Sequence, residues 1–246
     1  SSKDTSMMMP PPSSNLKLST HEINLIEKWI KQGAKYEKHW AFVAPKKPLI
    51  PEVKNKQWAK NEIDYFILHK QEQMGMSPNE DADKERLLKR ASLDITGLPP
   101  SLETMDRFLA DKSANAYEKI VDQLLQSNAY GEKMAVHWMD VSRYADSHGY
   151  QDDGYRTQWP WRDWVIYAFN KNMHYDDFIT WQLAGDLMPD ANKEKLLATG
   201  FNRNHKITEE GGVVDEEYRV AYVTDRNNMF GKALIGVTIE CAPCHD

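Results

Sequence analysis

Apolar residues in this chain recur at steps of three and four, the period of a helix buried along one face. The first clear case follows Ser19. Ser19 and Glu22 have capping-box spacing, and Leu18 and Ile23 are placed as a hydrophobic staple. Ile23, Ile26, Trp29, Ile30 and Gly33 then share one face, which predicts an amphipathic helix that Gly33 can close. Pro45, Pro48 and Pro51, flanked by Lys46 and Lys47, forbid regular helix and predict an extended connector over residues 39–60.

From Asn61 onward the pattern is helical again. Ile63, Phe66 and Ile67 form a stripe that ends near Met74-Gly75, and Leu87, Leu88 and Leu93 form another, stopped at Thr96-Gly97-Leu98-Pro99-Pro100. Ser101 can cap a helix carrying Leu102, Met105, Phe108 and Leu109. Tyr117, Ile120, Val121, Leu124 and Leu125 mark the next, and Met134 to Tyr144 another, with Trp138 and Val141 inward. A polar turn region at 146–158 precedes helices over Trp161–Phe169, 175–184 and 192–199. Asp215 to Phe230 reads as a long helix whose acidic start suits the helix dipole. β-signals are weak throughout, so the fold class is mainly α.

Composition narrows the function. A net charge of −6 argues against nucleic-acid binding. No apolar run approaches the roughly 20 residues needed to span a bilayer. The two cysteines both lie in Cys241-Ala242-Pro243-Cys244-His245, the attachment signature of c-type haem. The spacing lets two thiols add to the two vinyl groups of a porphyrin, while the following imidazole binds the iron from one face. Cys241 and Cys244 are therefore the expected anchors and His245 the expected proximal ligand. Three other readings of the pair stay open: a redox-active dithiol, half of a zinc site completed by histidines, and a plain disulfide. The chain shows no signal peptide and stops one residue after His245. We therefore expect an internal piece of a longer exported polypeptide, periplasmic, outer-membrane-associated or extracellular.

Among the other histidines, His205 is the first candidate for the opposite face of the iron. It sits in the polar run Asn202-Arg203-Asn204-His205, ahead of Gly211-Gly212, and His148 is the next candidate. Arg203 and Arg219 are candidates for haem propionates or for ordinary surface pairing. Asp146, Asp152, Asp153 and Asp163 lack the regular spacing of a calcium loop and read as solvated turn residues. Trp159, Trp161 and Trp164 read as core, with sugar stacking as the alternative. Met7-Met8-Met9-Pro10-Pro11-Pro12 reads, on spacing alone, as a linker, with a thioether loop facing an iron as the alternative.

Several long motifs resemble the planctomycete-type cytochrome c proteins. They are Leu68 to Gly75, Leu93 to Pro100, His137 to Asp146, Trp161-Arg162-Asp163-Trp164-Val165, Gln182 to Asp186, Gly211-Gly212, Glu216 to Val220 and Cys241 to Asp246. The resemblance implies a small N-terminal cytochrome c domain followed by a larger haem-bearing domain of undefined role. It implies that residues 1–38 end the small domain, that 39–60 connect, and that 61–246 form an α-helical haem c domain continuing beyond the chain. It further implies that Met9, with Met8 as the other register, ligates a second haem attached upstream of Ser1. The expected role is electron transfer to a redox partner protein, within a longer polypeptide. The alternative is a haem-dependent redox enzyme with an open iron site, acting on a carbohydrate-related substrate.

Overall fold

A computed structural model describes residues 8–244 of the chain. Among them are ten α-helices and no strand beyond one isolated bridge between Ser147 and Tyr155. The class is mainly α, as the periodicity predicts. The chain divides into two compact units, Ser1–Asn79 and Glu80–Asp246.

The first unit holds α1 (Thr20–Lys31) and α2 (Glu62–Gln73). At the start of α1 the Ser19 hydroxyl accepts from the Glu22 N–H, and the Glu22 carboxylate accepts from the Ser19 N–H, so the capping box forms. Asn61 and Asp64 build the same device at α2. The apolar stripe of α1 lies exposed, and no residue of that helix is buried. The connector region is more than a spacer. Its last residues are strapped to α2, where Glu72 accepts from the Lys54 and Asn55 N–H groups and the His69 ring pairs with the Glu52 carbonyl. Helix α2 falls in the first unit.

The second unit contains α3 (Lys84–Thr96), α4 (Leu102–Ala110), α5 (Ala116–Leu125), α6 (Asn128–Val141), α7 (Trp159–Asn170), α8 (Tyr175–Ala184), α9 (Lys193–Ala198) and α10 (Asp215–Phe230). Gly97 ends α3 in the left-handed conformation, with its N–H on the Leu93 carbonyl. Two apolar clusters form. Leu88, Ala91, Phe108, Ala116, Ile120 and Leu124 join α3, α4 and α5. Ala135, Trp161, Trp164, Val165, Ala168, Phe178, Ala198, Phe201 and Met229 join α6 to α10. Trp164 stacks on Phe178 with ring centroids 5.5 Å apart, and Trp138 meets Phe178 edge-on.

Two details of α6 differ from the sequence pattern. It begins at Asn128 rather than Met134, capped by Ser127, because Gly131 carries no side chain to show the helical period yet sits inside the helix. Val141, expected inward, is exposed at the last turn.

The second cluster depends on a close approach at Gly200, in the 3₁₀ turn Thr199–Arg203. A methyl group there would lie 2.7 Å from Cβ of the buried Trp161. Gly200→Ala should therefore lower stability by about 1–3 kcal/mol through overpacking, read as a shift in the urea midpoint with an unchanged slope.

Candidate functional site

The cysteine motif sits at the end of a fold-back. After α10 the chain makes a π-helical turn, Gly231–Ile235, and Gly236 then reverses it with φ 69°. The Val237 N–H donates to the Gly231 carbonyl at 3.1 Å, and Ile239 lies against Gly231, where any Cβ would crowd its side chain. Lys232 and Glu240 form an ion pair across the reversal. The result is an apolar strap laid back on the end of α10, with the cysteines in the turn that follows. The Cys244 N–H donates to the Cys241 carbonyl at 3.1 Å, which makes that turn tight. Both thiols are free and exposed. Two accessible thiols on one turn are a donor set that fits covalent haem attachment. His245 lies outside the described residues.

His205 is built into a different part of the unit. The Thr199–Arg203 turn delivers Asn204 and His205, and Asn202 donates to the Gln182 carbonyl to fix the turn on α8. The loop that follows is tied to one face of α10, since Tyr222, Asp225 and Arg226 recur there at helical spacing. The His205 ring stacks on Tyr222, with centroids 4.9 Å apart and planes within 10°. The Tyr222 hydroxyl accepts from the Thr208 N–H at 2.8 Å. Asp225 accepts from the Lys206 N–H at 3.1 Å and from Arg143 at 2.7 Å, and its carbonyl also accepts from Arg143. Burial pushes the Asp225 carboxyl up, but its bonds from Arg143 and the Lys206 N–H outweigh that, and the net direction is down.

His205 is 4% exposed, and both ring nitrogens are engaged. Nδ1 lies 2.8 Å from the Lys206 carbonyl, to which it donates, and Nε2 accepts from Arg226 at 2.7 Å. Burial lowers the His205 pKa from its ordinary value and the carbonyl contact partly offsets this, while the charges of Arg226 and Arg156 act in the same direction as burial. The imidazole is thus held neutral, with its acceptor lone pair turned to Arg226.

Other residues singled out in the sequence are dispersed. His148 accepts Ile207 N–H on its carbonyl and pairs through Nε2 with Glu209 at 3.0 Å. Met9 is 79% exposed. Arg219 is engaged by Glu216. Asp146 accepts from the Tyr144 hydroxyl, Asp153 from the Gly149 N–H, and Asp163 from Arg162. No group of three or more His, Cys, Asp or Glu side chains able to hold a metal ion occurs among the described residues. Trp161 and Trp164 are core, whereas Trp159 lines an open groove of about 660 Å³ with Asp163, Tyr167 and Glu194.

Sequence reasoning did not single out Arg156, Gln158 and Asn204, which are all buried. Gln158 donates to the Gly200 carbonyl and to Asn204 Oδ1, and Arg156 donates to the His205 carbonyl at 2.8 Å. Their partners lie more than forty residues away in the chain, so no local pattern marks them.

A family model described as "PSCyt2: Protein of unknown function (DUF1549)" matches residues 62–246. The chain belongs to this family. The PSCyt2 description associates the chain loosely with cytochromes and assigns no function. No curated protein and no solved structure matches the chain. Among the described residues no helix is long and apolar enough to cross a membrane.

The Asp225 carboxylate can be tested directly. Asp225→Ala leaves the Arg143 guanidinium and the Lys206 N–H without an acceptor. It should cost about 2–4 kcal/mol and speed hydrogen exchange at Lys206 and Thr208. Arg143→Ala in the same chain should cost less than the sum of the two single changes.

Proposed function

We propose that this PSCyt2-family chain is part of an exported multihaem c-type cytochrome that carries electrons to a redox partner protein. One haem is attached at Cys241 and Cys244, with His245 as its proximal ligand. The reading rests on one observation above others: the only two cysteines in the sequence lie exposed and unpaired on a single tight turn. In attachment, each thiol S–H adds across a vinyl group, forming a C–S bond and placing the hydrogen on the other vinyl carbon. The haem supplies one-electron cycling of its iron. The chain's own part is to present both sulfurs on one edge and to hold that turn against α10 through the Ile239–Gly231 contact and the Lys232–Glu240 pair. The second haem of this reading is attached in a segment outside these residues and takes Met9 as ligand. The exposed Met9 side chain is open to such a partner. Attachment of haem c takes place outside the cytoplasm, which accords with an exported, periplasmic or cell-surface location.

His205 remains the proposed distal ligand of the Cys241/Cys244 haem. To serve, it must give up the Arg226 contact at Nε2. That contact also favours a second reading. With Nε2 held by Arg226, His205 would not serve as a ligand, and a haem bound at Cys241 and Cys244 would supply redox catalysis rather than relay. The groove carrying Trp159 and Tyr167 then offers aromatic faces to a carbohydrate-related substrate.

One set of measurements tests both readings. Chain matured with haem should keep a haem-staining band on a denaturing gel, and Cys241→Ala/Cys244→Ala should lose it. Haem that extracts into acid–acetone from the unsubstituted chain defeats the proposal. In the relay reading the reduced chain is low spin and does not bind carbon monoxide, and His205→Ala makes it high spin and able to bind. Carbon monoxide binding by the unsubstituted chain selects the enzyme reading.

A further inference from the structure

Among the described residues Arg156 is a buried cation without a carboxylate partner. It is 7% exposed, and Nη1 donates to the His205 carbonyl, a neutral acceptor. Its Nε and Nη2 are buried and make no hydrogen bond among the described residues. No carboxylate forms a salt bridge with it among those residues; Asp225 pairs with Arg143 and Glu209 with His148. Asn204, 6% exposed, turns its Oδ1 to Gln158 and leaves Nδ2 without an acceptor. The unmet groups are therefore all donors. Exposed Arg203, next to Asn204 in sequence, adds a positive charge that acts on Arg156, and burial and this charge both push the Arg156 guanidinium down from its ordinary value. Arg226 brings a further positive charge to the His205 ring, at Nε2.

The energetics decide which partner these donors suit. A buried N–H without an acceptor costs about 1–3 kcal/mol, and more when it belongs to a charged group. A buried charge is retained when it is paired. Water can accept these hydrogen bonds, but it brings no charge. An anion supplies both acceptor atoms and neutralisation, and a planar or tetrahedral set of oxygens matches the guanidinium fork.

We propose that Arg156, with Asn204 beside it and Arg203 as its exposed rim, forms an anion-binding site for a carboxylate or a tetrahedral oxyanion. Arg156 supplies the fork through Nε and Nη2, Asn204 Nδ2 adds a neutral donor, and exposed Arg203 adds positive charge at the rim. The carboxylate has two sources, a haem propionate of this chain or a free solute, and the site chemistry is the same for both. The site does not depend on haem attachment, which the gel test above decides separately.

The test is isothermal titration of the full chain with sodium sulfate and with sodium acetate, against sodium chloride at matched ionic strength. Two forms are titrated, the haem-loaded chain and the Cys241→Ala/Cys244→Ala chain without haem. One saturable site is expected in the haem-free form. Arg203→Ala, an exposed change, should weaken it about tenfold, and Arg156→Gln should abolish it. Binding to the haem-free form alone identifies a propionate as the resident carboxylate, and equal binding to both forms identifies a free solute. The proposal is overturned if neither salt binds saturably to the folded haem-free chain. It is equally overturned if Arg203→Ala, which leaves the core untouched, binds as tightly as the unsubstituted chain.

Discussion

One carboxylate, Asp225, ties α10 to the residues after α6 and to the loop after His205. Helix α10 is polar along most of its length and buries a single side chain, Met229. Burying one such side chain stabilises by only about 2–3 kcal/mol, too little to fix the helix and the loop beside it in one register. Asp225 adds polar ties to two separate segments, beside the Tyr222 and Arg226 contacts to the His205 loop. It receives Arg143 from the end of α6 and the Lys206 N–H from the loop, segments that lie 82 and 19 residues away. Both oxygens are used, so the carboxylate specifies direction as well as proximity.

Around that point the second unit keeps a polar interior beside an aromatic one. Trp138, Trp161, Trp164, Phe178 and Phe201 fill the space between the helices, while Arg156, Gln158, Asn204 and His205 form a hydrogen-bonded strip next to it. A strip of this kind confers geometric uniqueness more than stability, because each donor tolerates few acceptor positions. Neutral His205, with a stacking partner, a carbonyl and an arginine, has little freedom to rotate.

Much of this fold was legible in the sequence. The caps at Ser19 and Ser101 and the stripes of Leu87–Leu93 and Tyr117–Leu125 rest on contacts within one helix turn, which local spacing records. The start of α6 was hidden because Gly131 removes a side chain from the pattern. The polar strip was hidden for a stronger reason: a buried Arg or Asn looks the same in sequence as a solvated one until its distant partner is known. His205 could be singled out as a polar-loop histidine, but its engagement could not. The nearest signal was Tyr222 and Arg226, four apart on one helix and therefore on one face. The cysteine spacing raises the expectation of a haem cofactor, while the fold-back that carries the thiols follows from Gly231 and Gly236, which local spacing does not distinguish from ordinary loop glycines.

The π-helical turn at Gly231–Ile235 has a consequence for direction. A π turn closes its hydrogen bonds over one more residue than an α turn. Each residue of an α-helix advances about 100° around the axis, so the extra residue rotates everything downstream by about that angle relative to an unbroken helix. The compass bearing on which the Cys241–Cys244 turn faces is therefore set by a one-residue insertion rather than by the helix itself. A chain shortened by one residue here would keep its helices, its apolar clusters and its cysteine spacing, yet point the thiols at a different quarter of the surroundings. Sequence motifs count residues along the chain, whereas what a side chain can meet depends on its bearing, and in this protein a single turn converts one into the other.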